Sequence, residues 1–178
     1  MKVSSWFSKM TGTAMTLDNL ENVLNLQLRD LYSAEEQLIS ALPKMAEAAS
    51  APELKKALQT HLAETKRQKD RLDQAFRALG HEPKSESCEA MEGLISEGEE
   101  IMDLDGDSDV KDAALIAAAQ RVEHYEIAGY GCARTFARRL GHRKVAELLQ
   151  QSLEEEAAAD KKLTQVAEKS INKEAAQA

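Results

Sequence analysis

Residues 121–131 read RVEHYEIAGYG. The run before them, DAALIAAAQ at 112–120, and the run after, CARTFARRL at 132–140, both suit a packed helix. Helical residues spaced three, four and seven apart share a face. Here that face carries Leu115, Ala119, Val122, Gly129, Ala133, Ala137 and Leu140. Glu126 falls at its centre, and Glu123 lies one turn earlier on the same side. Acids on an apolar stripe need partners from other helices, so the rest of the chain decides what this stretch is for.

The chain has 178 residues, enough for one domain with a sizeable core. It is rich in Ala, Leu, Glu, Lys and Gln and poor in aromatics, which is a helix former's composition. The formal charge of −8 disfavours nucleic acid and anionic membranes as partners. The acid excess suits a cation ligand or simple solubility. No run is long and apolar enough to cross a membrane. The opening MKVSSWFSKMTGTAM lacks the apolar stretch of a secretory signal. Cys88 and Cys132 form no metal motif and no disulfide framework. A reducing, cytoplasmic location is expected. Residues 1–15 read as a flexible tail, with Trp6 and Phe7 available to touch a membrane or a partner.

Residues 16–170 are expected to form the helical domain and 171–178 a polar tail. The first long helix opens near Leu17, capped by Thr16 or Asp18, and runs to about Ser50, with Pro43 as a candidate kink. Pro52 suits the first turn of the second helix, which ends before Gly80. Residues 81–108 form a long connection, within which CEAMEGLISEGEEIM reads as a short helix. Asp109 is the expected cap of the third long helix, with Asp112 in its first turn, and Gly141 ends it. The fourth runs from about Arg143 to about Ser170. The two short turns make two antiparallel hairpins, and the long connection crosses the bundle. The expectation is therefore all-α: a ferritin-like four-helix bundle with a long crossover between the second and third helices and an additional short helix.

The same periodicity places further acids inward. In the first helix Glu35 is central on a stripe of Leu24, Leu28, Leu31, Leu38 and Leu42, with Glu36 at its edge. In the fourth, Glu156 is central and Asp160 lies one turn on. The second helix has Thr65 at the centre, His61 inside the face and Glu64 on its flank. Glu35, Glu64, Glu126 and Glu156 all sit near helix midpoints, and antiparallel helices of similar length align their midpoints. Burying one isolated carboxylate costs several kcal/mol, against a typical net stability of about 5–15 kcal/mol. The central stripes hold no Arg or Lys to pair with them. Two divalent ions would neutralise four carboxylates, and oxygen-rich ligation with an imidazole suits iron or manganese. The candidate metal ligands are Glu35, His61, Glu64, Glu123, Glu126 and Glu156, with Asp160, Glu155 and Glu36 read as solvated or supporting. His61 alone reads as a core histidine; beside Glu64 in this layer it reads equally as a ligand. Tyr32, Tyr125 and Tyr130 either donate to ligand carboxylates or simply pack. The acidic DLDGDSD at 103–109 is not a calcium loop. Counting from Asp103, the sixth and twelfth positions hold Ser108 and Ala114 where Gly and Glu are needed.

The blocks LRDLYSAEEQLISALPKMAEAAS, HLAETKRQKDRLDQAF, CEAMEGLISEGEE, DAALIAAAQRVEHYEIAGYG and LEEEAAADKKLTQVA resemble the YciE/YciF family of bacterial stress-associated proteins over roughly residues 17–170. The resemblance implies a ferritin-like, rubrerythrin-related domain, a homodimer and a di-metal centre, without supplying a settled reaction. The ferritin-like pattern is one Glu on each of two helices and Glu-x-x-His on the other two. Glu35 and Glu126 match the single acids. The second helix has the reverse order, His61-x-x-Glu64, and Ala159 stands where a histidine would follow Glu156. Two functions remain open from the residues: a di-iron or di-manganese protein reacting with peroxide or oxygen, and a non-catalytic structural or interaction bundle with an unfilled site.

Overall fold

Asn19 sets the start of the first helix. Its side chain accepts the backbone N–H of Asn22 at 2.9 Å and caps α1, Leu20–Ala48. The sequence pointed to Thr16 or Asp18, but those two side chains bond to each other. The computed structural model describes residues 16–178; the expected tail at 1–15 lies outside the described residues. Pro43 sits inside α1 without ending it, flanked by the buried Leu42 and Ala46. α2, Pro52–Ala78, begins with proline in its first turn and stops at Gly80, whose φ of 77° is the left-handed conformation that glycine tolerates best. α3 is Glu89–Asp103, α4 is Ser108–Leu140 and α5 is Arg143–Val166. Asp107, rather than Asp109, caps α4 and accepts from the N–H groups of Asp109 and Val110.

Cross-chain contacts give the topology. Asp112, near the start of α4, meets Ser50 and Ala51 beyond the end of α1, while Gly129 later in α4 lies against Leu31. α1 and α4 therefore run antiparallel. Arg71 of α2 meets Ser152 and Glu155 of α5, and His61 meets Glu156, so α2 and α5 also run antiparallel. With the two hairpins, this is the up-down-down-up bundle with one long crossover. α3, within that crossover, docks on α1: the Cys88 N–H donates to Ser33 Oγ at 3.0 Å and Gln37 donates to the Cys88 carbonyl at 3.2 Å. Among the described residues every regular element is helical, and no helix is long and apolar enough to cross a membrane.

The apolar core is in two pieces. One gathers Leu38, Leu42, Leu54, Leu58, Met91, Leu115 and Leu163; the other gathers Leu24, Leu28, Leu31, Leu72, Phe76 and Leu149. Each buried Leu or Phe contributes roughly 1.5–3 kcal/mol, so these clusters hold the bundle together from both ends. Between them lies the polar layer.

The helical path also outlasts the boundary expected at 170. α5 passes into a π-turn, Ala167–Ile171, and a last turn, α6, Asn172–Ala175. A π-turn inserts an extra residue and shifts the phase of the stripe. That shift returns Ile171 to the core, where it is 1% exposed.

Asp112 has a role that its expected place in the first turn did not suggest. It is fully buried and accepts the N–H of Ser50 at 2.9 Å and of Ala51 at 2.6 Å. It thus pins the α1–α2 turn to the head of α4. Asp112→Ala is expected to lower the unfolding free energy in urea by about 2–3 kcal/mol, because two backbone donors lose a charged acceptor. A loss below about 0.5 kcal/mol, the range of inert surface changes, would show that water replaces it.

Candidate metal centre

Each acid in the polar layer is delivered by the stripe that buries its neighbours. Leu31 and Leu38 flank Glu35 on α1, Val122 and Ala133 flank Glu126 on α4, and Leu149 and Leu163 flank Glu156 on α5. Glu35, Glu126 and Glu156 are 0% exposed, Glu123 is 2% and His61 is 5%. Close approach of α1 and α4 depends on Gly129: a Cβ there would lie 2.8 Å from Leu31 Cδ2.

The side chains converge. His61 Nε2 is 3.3 Å from Glu123 Oε1 and 3.8 Å from Glu156 Oε2. Two sets of three donors, His61–Glu123–Glu156 and Glu35–Glu126–Glu156, have ligand atoms within 4.8 Å of one another. Glu156 belongs to both. Glu64 stands outside these sets. Its side chain is 25% exposed and its Oε2 lies 3.6 Å from His61 Nδ1, at the rim.

Most of these donors lack partners. Both nitrogens of His61, both oxygens of Glu126 and Glu156, and one oxygen each of Glu35 and Glu123 have no hydrogen-bond partner among the described residues. The other Glu35 oxygen accepts from the hydroxyl of the fully buried Tyr130. Such groups are rarely left orphaned in a native interior.

Electrostatics record the strain. Burial pushes the Glu35 carboxyl up to about 8, although the Tyr130 bond and His61 pull the other way. Burial, then the charges of neighbouring acids, raises Glu126 and Glu156 well above the carboxylate range. Glu123 is raised by burial and eased by His61. For His61, burial favours the neutral ring, but Glu123, Glu64 and Glu35 outweigh it and leave its pKa above the ordinary value.

One expectation needs correcting. The stripes themselves carry no cation, yet Arg71 reaches under the layer from α2, and its charge lowers Glu35. Its guanidinium is already held by Glu155 at 2.7 and 2.6 Å and lies 3.3 Å from Ser152 Oγ. It therefore offers little to the other acids. Asp160 accepts from Gln120 at 2.8 Å, and Glu36 sits 3.6 Å from Lys69 near the surface. Of the tyrosines, only Tyr130 reaches a candidate ligand. Tyr125 donates to Asp30 and contacts Cys88 Sγ at 3.0 Å, and Tyr32 packs edge-on against Phe76. Gln68 was missed. It is fully buried with both amide atoms unpartnered, and its spacing of seven from His61 was the available signal. Cys88 and Cys132 are both free.

Residues 19–176 match the family described as Domain of unknown function (DUF892). The chain is 48% identical over 162 residues to Protein YciF of Escherichia coli (strain K12), covering 90% of this chain and 98% of that protein. The crystal structure of the E. coli stress protein YciF matches with a TM-score of 0.85 over 88% of this chain and 99% of that one. YcfI of Rhodopseudomonas palustris, 43% identical, matches with a TM-score of 0.81 over 87% of this chain and 98% of that one. The family model thus spans the helices that build the polar layer, and the chain belongs to the DUF892 family, with YciF among its relatives.

Proposed function

We propose that the polar layer is a carboxylate-rich di-metal centre for two iron or two manganese ions, and that it reacts with peroxide or oxygen. The observation that carries this reading is the pair of donor triads sharing Glu156, with most of their buried atoms unpartnered. The donor set fits the group: carboxylate oxygens and one imidazole suit iron or manganese, whereas zinc usually takes more nitrogen or sulfur. Glu35 and Glu126 would hold one ion, His61 and Glu123 the other, and Glu156 both. When bound, such ions supply electrons and Lewis acidity to an oxidant.

The chain's own groups prepare that site. Tyr130 fixes the carboxylate plane of Glu35 by donating to one oxygen, which leaves the other facing the layer. Glu64 faces His61 Nδ1 from the rim, so a modest rotation would let it orient the ring. The two apolar clusters keep bulk water from the layer on either side. That YciF is a stress protein accords with a role in handling oxidants.

The raised carboxyl pKa values favour one alternative: a structural bundle whose acids stay protonated. Two measurements separate the readings. Protein expressed with iron or manganese is expected to carry about two ions per chain by elemental analysis. Free metal at about a hundredfold over its dissociation constant should stabilise the fold by about 2.7 kcal/mol, because only the folded state offers the site. Glu126→Gln and Glu156→Gln should each abolish that gain. Full folding with no bound metal and no stabilisation would end the proposal.

The second is the pH dependence of the metal-free chain. A carboxyl such as Glu35, moved from an ordinary 4.5 to about 8, binds more protons folded than unfolded between those values. Its contribution is complete below 4.5 and is lost as pH rises through about 8. Metal-free stability should therefore fall steadily across this window. Glu126→Gln should flatten the fall, and bound metal should reverse it. A metal-free chain equally stable at both ends would show that the acids are relieved in some other way.

A further inference from the structure

The two long faces of the bundle differ. α3 covers the groove between α1 and α4, whereas α2 and α5 part to form a cleft of about 400 Å³. Ala57, Leu58, Ala159 and Leu163 supply its walls. His61 and Glu123 form its inner end, nearly buried and with unpartnered polar atoms. Ala159 is the residue that departs from Glu-x-x-His after Glu156. An imidazole there would occupy the gap that its methyl group leaves open. Glu53 and Glu64 stand against Lys56 and Lys162 around the cleft, and Glu123 lies beside His61 at its inner end, so the lining carries no strong excess of one charge.

Size and chemistry together point to a ligand class. A water molecule takes about 30 Å³, so hydrogen peroxide would leave most of this space idle, while pockets of roughly 300–1,000 Å³ accept organic molecules. Apolar walls ending at a histidine and a carboxylate suit an uncharged apolar body with one polar end. Resting on the metal-centre reading, we infer that the cleft takes an uncharged organic hydroperoxide, its –OOH group directed at His61 and Glu123. Reduction of such a molecule breaks the O–O bond and consumes two electrons and two protons, so that ROOH yields ROH and water. Two reduced metal ions held by the layer would supply the electrons, one each, and solvent the protons.

The unreactive alcohol 2-phenyl-2-propanol tests the binding step without turnover. Titrated into the full chain, it should bind saturably and shift the methyl NMR signals of Ala57 and Ala159. Ala159→Trp, which fills the cleft, should weaken binding at least about tenfold while metal content stays at the wild-type level. The same variant should slow loss of cumene hydroperoxide and spare loss of hydrogen peroxide. Ala57→Leu narrows the opposite wall and serves if the tryptophan variant does not fold. No alcohol binding, or binding unchanged in the folded variants, overturns the inference. Metal analysis of the same samples keeps the two ideas apart. Alcohol binding to a chain that takes no metal supports the cleft and sinks the metal centre. Metal without alcohol binding sinks the cleft alone.

Discussion

The structure is organised around the desolvation of negative charge. Glu35, Glu123, Glu126 and Glu156 meet in a buried layer with one base, His61, among them. Each ion so buried costs several kcal/mol after relaxation, and like charges add to that. A domain's whole stability is about 5–15 kcal/mol. The layer therefore exists only because the leucine-rich clusters on either side offset it and because protons or cations relieve it. A bundle selected for stability alone would continue its leucines through the middle.

Several features outside the layer serve to hold it in register. Gly129 leaves room for the Leu31 side chain where α4 meets α1, one turn from Glu35 and Glu126. Tyr130 ties α4 back to Glu35 within the same contact. Asp112 fastens the far end of that helix pair to the α1–α2 turn. The Arg71–Glu155 fork joins α2 to α5 just below the site, and its mutual pairing keeps the guanidinium from neutralising the layer. Helices fixed at several heights cannot slide, so the acids stay level.

The crossover gives the bundle sidedness. α3 lies over α1 and α4, anchored through Ser33, Gln37 and Cys88. Among the described residues no comparable element covers α2 and α5, where alanines replace bulk. His61 and Glu123 are reached through the cleft between α2 and α5, and Glu123 also borders a smaller apolar pocket under α3. The short imidazole-to-alanine difference at 159 links the unusual donor set to the opening beside it.

Local periodicity made much of this legible in the chain itself. The stripes through Leu24–Leu42 and Leu115–Leu140, the stops at Gly80 and Gly141, and the inward acids at 35, 126 and 156 all follow from residues three, four and seven apart. Periodicity says which face a residue shares, and nothing about which atom it meets across the gap. That Glu156 joins both triads, that Glu64 stays at the rim, that Arg71 reaches beneath the layer and that Asp112 spans to another turn depend on helix offsets and rotamers. The choice of Asn19 and Asp107 as caps, and the π-turn that returns Ile171 to the core, were likewise decided by where packing began and ended each helix. The sequence determined that charge would be buried at mid-bundle; only the tertiary packing decided how those charges are grouped, because grouping is a matter of distances between helices rather than of spacing along one.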